Sequence, residues 1–287
     1  MSHQIQSFFH EDTFTFTHLL TDDATGQAAL IDPVLDFDQK SGRTATAFID
    51  DILQKVEQDG LSLVYVLETH AHADHLTSAD YIRHRTRAKI VIGSPITTVQ
   101  GTFKKIFNEG ERFLPDGHQF DVLIQDGEEI RLGDTVIRAM ATPGHTPACH
   151  SLIVNDSDVF VGDTIFAPDV GSARCDFPGG DAETLWQSVR KLMALGDEVV
   201  LHLCHDYPPE GRDIVSSVTV AEQRKNNIHM KDSVSRDDFI RMRSERDAQL
   251  DMPRLILPSL QVNIRAGALP EAEDNGVAYL KLPLNLL

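Results

Sequence analysis

The stretch Thr69-His70-Ala71-His72-Ala73-Asp74-His75 decides how this chain is read. It sets three histidines and an aspartate within six residues, directly after the apolar run Leu63-Val64-Tyr65-Val66-Leu67. Imidazole and carboxylate groups both suit first-row metals such as zinc and iron. Four of them crowded at the end of a buried strand fit neither a hydrophobic core nor a solvated surface loop.

Working outward, the same arrangement recurs three times. Ala141-Thr142-Pro143-Gly144-His145-Thr146 follows the strand-like Thr135-Val136-Ile137-Arg138-Ala139-Met140. Val161-Gly162-Asp163-Thr164 follows Asp158-Val159-Phe160, and His202-Leu203-Cys204-His205-Asp206-Tyr207 follows Glu198-Val199-Val200-Leu201. Each time a β-branched or apolar run ends and a His or Asp stands at the turn. Strand ends are where a rigid sheet aims side chains from distant parts of a chain at one point. A lone histidine in such a place is ordinary, whereas four sites in one chain form a constellation.

In sequence order, His-x-His-x-Asp-His, Pro-Gly-His-Thr, Gly-Asp-Thr and Cys-His-Asp-Tyr resemble the metallo-β-lactamase superfold over about residues 10 to 210. The resemblance implies an α/β protein, an αββα sandwich with its metals at one edge. It also implies a catalytic domain over residues 1–210, with a C-terminal helical and loop extension over 211–287 packed on it. Within that superfamily, the run from Glu68 to Ser78 and the segment Gly171-Ser172-Ala173-Arg174-Cys175-Asp176-Phe177 resemble the persulfide dioxygenases, relatives of glyoxalase II.

The residues by themselves leave the metal open, because every side chain needed for two zinc ions is present beside those needed for one iron. The resemblance implies one Fe(II) per subunit held by His70, His145 and Asp163, the 2-His-1-carboxylate set of oxygen-activating iron enzymes. His72, Asp74, His75 and His205 then either hold ligands and waters by hydrogen bonds or serve a second metal. The implied reaction oxidises glutathione persulfide with O2 and water to sulfite and glutathione. Tyr207 resembles the position at which glyoxalase II relatives contact glutathione, and Arg174 is the foremost cation for its carboxylates, with Arg224 and Lys225 behind it. Cys149 and Cys175 are either persulfide-handling thiols or small buried hydrophobes, and the second is the expected role.

Two rival readings accompany this one. A dinuclear zinc hydrolase of glutathione thioesters, of the glyoxalase II type, shares the fold and the glutathione link. Ala73 and Leu76-Thr77-Ser78 depart from the pattern usual in that branch. A non-catalytic sulfur or redox sensor has no chemical need for the complete ligand set. Relatives of this type are commonly dimers, so a homodimer is expected.

Composition bounds the picture. With 287 residues and 41% hydrophobic content the chain buries a substantial core. No apolar run approaches the ~20 residues that cross a bilayer. Met1-Ser2-His3-Gln4-Ile5-Gln6 lacks the charge pattern of a signal peptide. Three scattered cysteines form no disulfide framework, and a cytoplasmic setting is expected. The formal net charge of −18 argues against nucleic-acid binding and requires a few concentrated cations for any anionic substrate.

Hydrophobic spacing predicts strands at Thr13–Thr17, Ala28–Pro33, Leu61–Leu67 and Lys89–Ile92, and helices over Thr46–Asp59 and Ser78–Arg87. A helical insertion between Gly93 and Gly117 is expected as a dimer contact or lid. Short antiparallel strands should fill Phe120–Phe166, turning at Asp126-Gly127, Gly133-Asp134 and Asn155-Asp156. Helices are expected at Val215–Asn226 and Arg236–Gln249, and irregular chain from Pro253 onward.

Overall fold

The computed structural model describes residues 2–286. The chain opens with strands β1 (His3–His10), β2 (Thr15–Asp22), β3 (Gln27–Ile31), β4 (Val34–Asp38) and β5 (Arg43–Ala45). Helix α1 (Ala47–Gln58) leads to β6 (Ser62–Glu68), the short β7 (Leu76–Thr77), α2 (Ala79–Thr86) and β8 (Lys89–Gly93). Helix α3 (Ile96–Ile106) and β9 (Val122–Ile124) follow, then β10 (Glu129–Leu132), β11 (Thr135–Ala141), β12 (His150–Val154) and β13 (Asp158–Phe160). A 3-10 turn at Gly162–Thr164 precedes α4 (Ala182–Met193), β14 (Val200–His202) and β15 (Ser217–Thr219). Helices α5 (Val220–Asn226), α6 (Arg236–Asp247) and α7 (Ile256–Asn263) complete the order.

Two six-stranded sheets dominate, ordered β1-β2-β3-β6-β8-β9 and β10-β11-β12-β13-β14-β15. The first is antiparallel through β1, β2 and β3, then parallel through β6, β8 and β9. Strand β3 shows why the sheet is buried on both faces: Ala28 and Leu30 pack toward the helices, while Ala29 and Ile31 pack toward the other sheet. That alternation is the period-two signature of a strand between two apolar layers.

Leu20, Ala29, Ile31, Leu67 and Val91 of the first sheet meet Leu132, Ile137, Ala139, Leu152, Val154 and Phe160 of the second. Outside the first sheet lie the apolar faces of α1, α2 and α3, and outside the second lie those of α4 and α6. The layers are therefore helix, sheet, sheet, helix, as the resemblance implied. Helix α3 is a member of the outer layer, with Ile96, Val99 and Phe103 buried in the core, and does not line the cleft as the lid expected of that segment would.

The end of the chain departs from expectation in a way that matters for the site. Position 210 does not end the sandwich, because β15 pairs with β14 as the last strand of the second sheet. The segment from Pro253 contains α7, whose Leu260, with Ile264 just past its end, joins the core over the first sheet. Among the described residues, no helix is long and apolar enough to cross a membrane.

Leu152 is buried between the sheets. Leu152→Ala should destabilise the fold by about 2–5 kcal/mol through lost transfer energy and a residual cavity. A urea titration reads this as a lower midpoint at an unchanged slope.

Candidate metal centre

The sequence THAHADH begins where β6 ends, and its geometry is set by a residue from another strand. Asp32, 2% exposed, stands just past β3 with a φ of +49°. Its carboxylate accepts the Thr69 backbone N–H at 2.8 Å and the Thr69 hydroxyl at 2.8 Å, and His72 Nε2–H at 3.1 Å. Since the Thr69 hydroxyl is donated to Asp32, its oxygen accepts His70 Nδ1–H at 3.0 Å. One buried carboxylate thus fixes two histidine rings, one directly and one through a threonine. Glu68 adds its Oε2 at 3.4 Å from His72 Nε2.

The other histidines follow the same rule. His145 Nδ1–H donates to the Arg174 carbonyl at 2.8 Å, and His75 Nδ1–H donates to the Leu76 carbonyl at 3.2 Å. His205 Nδ1 meets the Phe14 carbonyl and the Thr15 hydroxyl, both at 3.2 Å. Each ring has one nitrogen held by oxygen, which leaves the other bare. His70 Nε2, His72 Nδ1, His75 Nε2 and His205 Nε2 are buried without a hydrogen-bond partner, as is Asp163 Oδ1. Buried polar atoms normally find partners. A cluster of bare nitrogens and a carboxylate oxygen, oriented by outer hydrogen bonds, is the donor set of a metal site.

The donors fall into overlapping groups whose ligand atoms lie within 4.8 Å of one another. One is His70, His145 and Asp163; another is Asp74, Asp163 and His205; a third is His72, His75, Cys204 and His205. Asp163 is shared, with Oδ2 at 3.8 Å from His70 Nε2 and 3.7 Å from His145 Nε2, and Oδ1 at 3.3 Å from His205 Nε2. Asp74 Oδ2 stands 3.2 Å from His205 Nε2. All seven ligand-type residues singled out in the sequence meet in one place.

The protonation states of His70 and His75 agree with coordination. Burial, then the neighbouring His72 and His145, hold His70 well below the ordinary histidine range. Burial and His72 push His75 down to about 3. Both rings are neutral at pH 7, the form that binds metal. Burial also lowers His72, but the charge of Asp32 and the hydrogen bonds to Asp32 and Glu68 outweigh it and raise this ring well above its usual value.

Two glycines let the loops close. Gly144 has a φ of +138°, and a Cβ there would stand 2.4 Å from the backbone of Leu185 in α4. Gly162 has a φ of +51°, and its Cβ would stand 2.6 Å from Thr69 Oγ1. Helix α4 is tied to the Pro143-Gly144-His145 loop by the Ser188 hydroxyl, which donates to the Pro143 carbonyl at 2.6 Å.

The centre opens on a cleft of about 450 Å³ lined by His145, Asp163, Asp74, Phe14, Phe166, Phe177, Tyr207, Arg174 and several residues from the end of α6 onward. The Tyr207 ring stacks on His205 with centroids 5.7 Å apart and planes at 13°. Arg174 is in the cleft but not free. It makes a two-pronged pair with Asp176 at 2.6 Å on each side, donates to the Asp251 carbonyl at 2.7 Å, and lies over the Phe177 ring. Its visible service to the metal centre is its backbone carbonyl on His145.

Arg224 corrects the sequence expectation. From α5 it is bound by Asp197 and Asp232, neither of them on that helix, and it lines a different hollow together with Lys225. Cys149, Cys175 and Cys204 are free and buried; burial pushes Cys149 up to about 12 and raises the other two as well. They are thiols, not thiolates, at neutral pH, in keeping with the buried-hydrophobe role.

Sequence reasoning missed three contributors. Asp32 ends an apolar strand just as the ligands do, and that position was its signal. Asn263, at the end of α7, had no such signal. Its amide donates to the carbonyls of His72 and His75, both at 2.8 Å, and its Oδ1 accepts the Thr77 N–H at 2.9 Å. Arg243, fully buried, pairs with Asp247 and donates to the Ser172 carbonyl on the cleft wall.

Residues 11–205 match the metallo-beta-lactamase superfamily. The chain is 51% identical to a probable metallo-hydrolase of Burkholderia pseudomallei, with 99% of each chain covered. It is 31% identical to the mitochondrial persulfide dioxygenase ETHE1 of Homo sapiens, over 92% of this chain and 88% of that one. It superposes on the crystal structure of ETHE1 from Myxococcus xanthus with a TM-score of 0.72 at 32% identity, covering 92% of this chain and 100% of that one.

Asn263→Ala leaves two carbonyls and one N–H of the histidine loop unpaired, each worth about 1–3 kcal/mol when buried. Metal affinity should fall about 10–100-fold, as for other outer partners of ligands. Metal content after dialysis against graded chelator reads the change, and wild-type retention would contradict it.

Proposed function

Because the chain belongs to the metallo-β-lactamase superfamily, we propose that it is a persulfide dioxygenase of that superfamily, with Fe(II) held by His70, His145 and Asp163. The substrate in this reading is glutathione persulfide, oxidised with O2 and water to sulfite and glutathione. One observation carries it. The ligand atoms of His70, His145 and Asp163 form a closed two-histidine, one-carboxylate group, while His72 belongs to a separate group with His75, Cys204 and His205. The identity to persulfide dioxygenases across 92% of the chain supports the same branch. Iron so held supplies oxygen activation through a change of oxidation state, which zinc does not undergo.

The chain's own residues have defined tasks. Thr69 and the Arg174 carbonyl keep the protons of His70 and His145 on Nδ1, so both Nε2 atoms remain electron-pair donors. His145 and Asp163 line the cleft, which is therefore the route to the centre. Phe14, Phe166, Phe177 and Leu250 wall that route with apolar surface and limit water around the reacting sulfur. Tyr207 completes the wall and holds the His205 ring flat against its own. The free, buried cysteines fit a reducing cytoplasmic setting.

A dinuclear hydrolase of glutathione thioesters is the second reading. It is favoured by Asp163 Oδ1, which faces His205 and Asp74 as a bridging carboxylate would.

Iron-loaded protein given glutathione persulfide should consume O2 with sulfite appearing. Alanine at His70, His145 or Asp163 should cost more than the ~100-fold typical of outer hydrogen-bond partners and release the iron. Absence of uptake by protein shown to contain iron, with thioester cleavage by the zinc-loaded form, would overturn the dioxygenase in favour of the hydrolase.

A further inference from the structure

Four arginines line the cleft: Arg174, Arg243, Arg246 and Arg254. They differ in what already holds them. Arg174 is paired with Asp176, and Arg243 is buried against Asp247. Arg254 donates only to the Asp12 backbone carbonyl, at 3.3 Å. Among the described residues, Arg246 has no carboxylate within ion-pairing distance and no side-chain hydrogen bond. Both Arg246 and Arg254 are exposed. In a chain of net charge −18 these two guanidiniums are the uncommitted positive charge on the way to the metal. Asp12 lines the same cleft, and no cation pairs with its carboxylate among the described residues.

Two guanidiniums and one carboxylate without ion-pair partners, around an apolar passage ending at the metal-ligand cluster, make a complementary frame for a thiol with anionic ends and one ammonium. Guanidinium binds carboxylate through paired N–H donors of fixed geometry, which gives orientation as well as attraction. The frame lies on the β1–β2 turn, the last turn of α6 and the chain after it, segments separate from those that carry the metal ligands.

We propose that Arg246 and Arg254 bind the carboxylates of a peptidyl thiol and Asp12 binds its ammonium, so that the end of α6 and the loop after it set substrate specificity. The proposal rests on the glutathione reading above and assigns the charged groups of that substrate to residues. These are binding residues, distant in role from the metal chemistry, so they govern KM and not kcat.

The test uses S-methylglutathione, whose thioether takes no part in either dioxygenase or hydrolase chemistry. Calorimetry on the metal-loaded protein should show binding that weakens about tenfold or more in Arg246→Ala and in Arg254→Ala, and that falls with added salt. Blocking the ammonium by N-acetylation should weaken binding to the wild type and make no difference to Asp12→Asn. Arg241→Ala, on an exposed face of α6 and paired with Asp238, is the control and should bind as the wild type does. In turnover, the two arginine variants should raise KM for glutathione persulfide by the same factor with kcat within about twofold. Unchanged binding in both arginine variants would overturn the proposal. Arginine-dependent binding without O2 uptake would instead uphold it and count against the dioxygenase alone.

Discussion

A single buried carboxylate governs the metal centre. Asp32 accepts three hydrogen bonds, two from Thr69 and one from His72, in a place where its own backbone takes a left-handed turn. Burying a charged carboxylate is costly unless such partners surround it. Here the partners are the strand end that carries His70 and one of the histidines, so satisfying Asp32 also orients the ligands. The bare Nε2 of His70 follows from that chain of bonds. So does the contrast between His70, neutral and turned to Asp163, and His72, drawn to two carboxylates.

The fold and the ligands were legible in the sequence for the same physical reason. Strands between two apolar layers give apolar runs, and a histidine or aspartate at the end of such a run stands out against them. His70, His72, Asp74, His75, His145, Asp163 and His205 all stood out in this way, and the structure gathers them into one cluster. What could not be read is what comes from burial on every side. Helix α7 has no polar face, since Pro258, Ser259, Leu260, Gln261, Val262 and Asn263 are all buried, so no helical period appears in it. Helix α4 is a different case. It has an amphipathic spacing through Leu185, Val189 and Leu192 and an Asp181 cap accepting from Thr184, signals present but not used.

The cations show a sharper limit of sequence reading. Arg174 and Arg224 were reasonable candidates by position, but each is consumed by carboxylates of its own chain. Whether an arginine is available depends on which aspartate the fold brings beside it, and local sequence does not specify that pairing. The useful contrast is between Arg243, locked to Asp247 within α6, and Arg246 one turn further on, which is not. Electrostatic reach in a strongly acidic protein belongs to the few charges left over after such pairing.

The hold of Asn263 on the histidine loop has a bearing on biosynthesis. The bond to the His72 carbonyl spans 191 residues of chain. At ribosomal rates of about 5–20 residues per second, roughly 10–40 s pass between the emergence of the loop and that of its clamp. His70, His72 and His75 are made well before their final support, which arrives within the last turn of α7. The centre is therefore completed only once α7 has been made, and a nascent chain that has not reached it offers incoming metal a looser, unclamped set of imidazoles. The clamp on the histidine loop is a property of a chain that already carries α7.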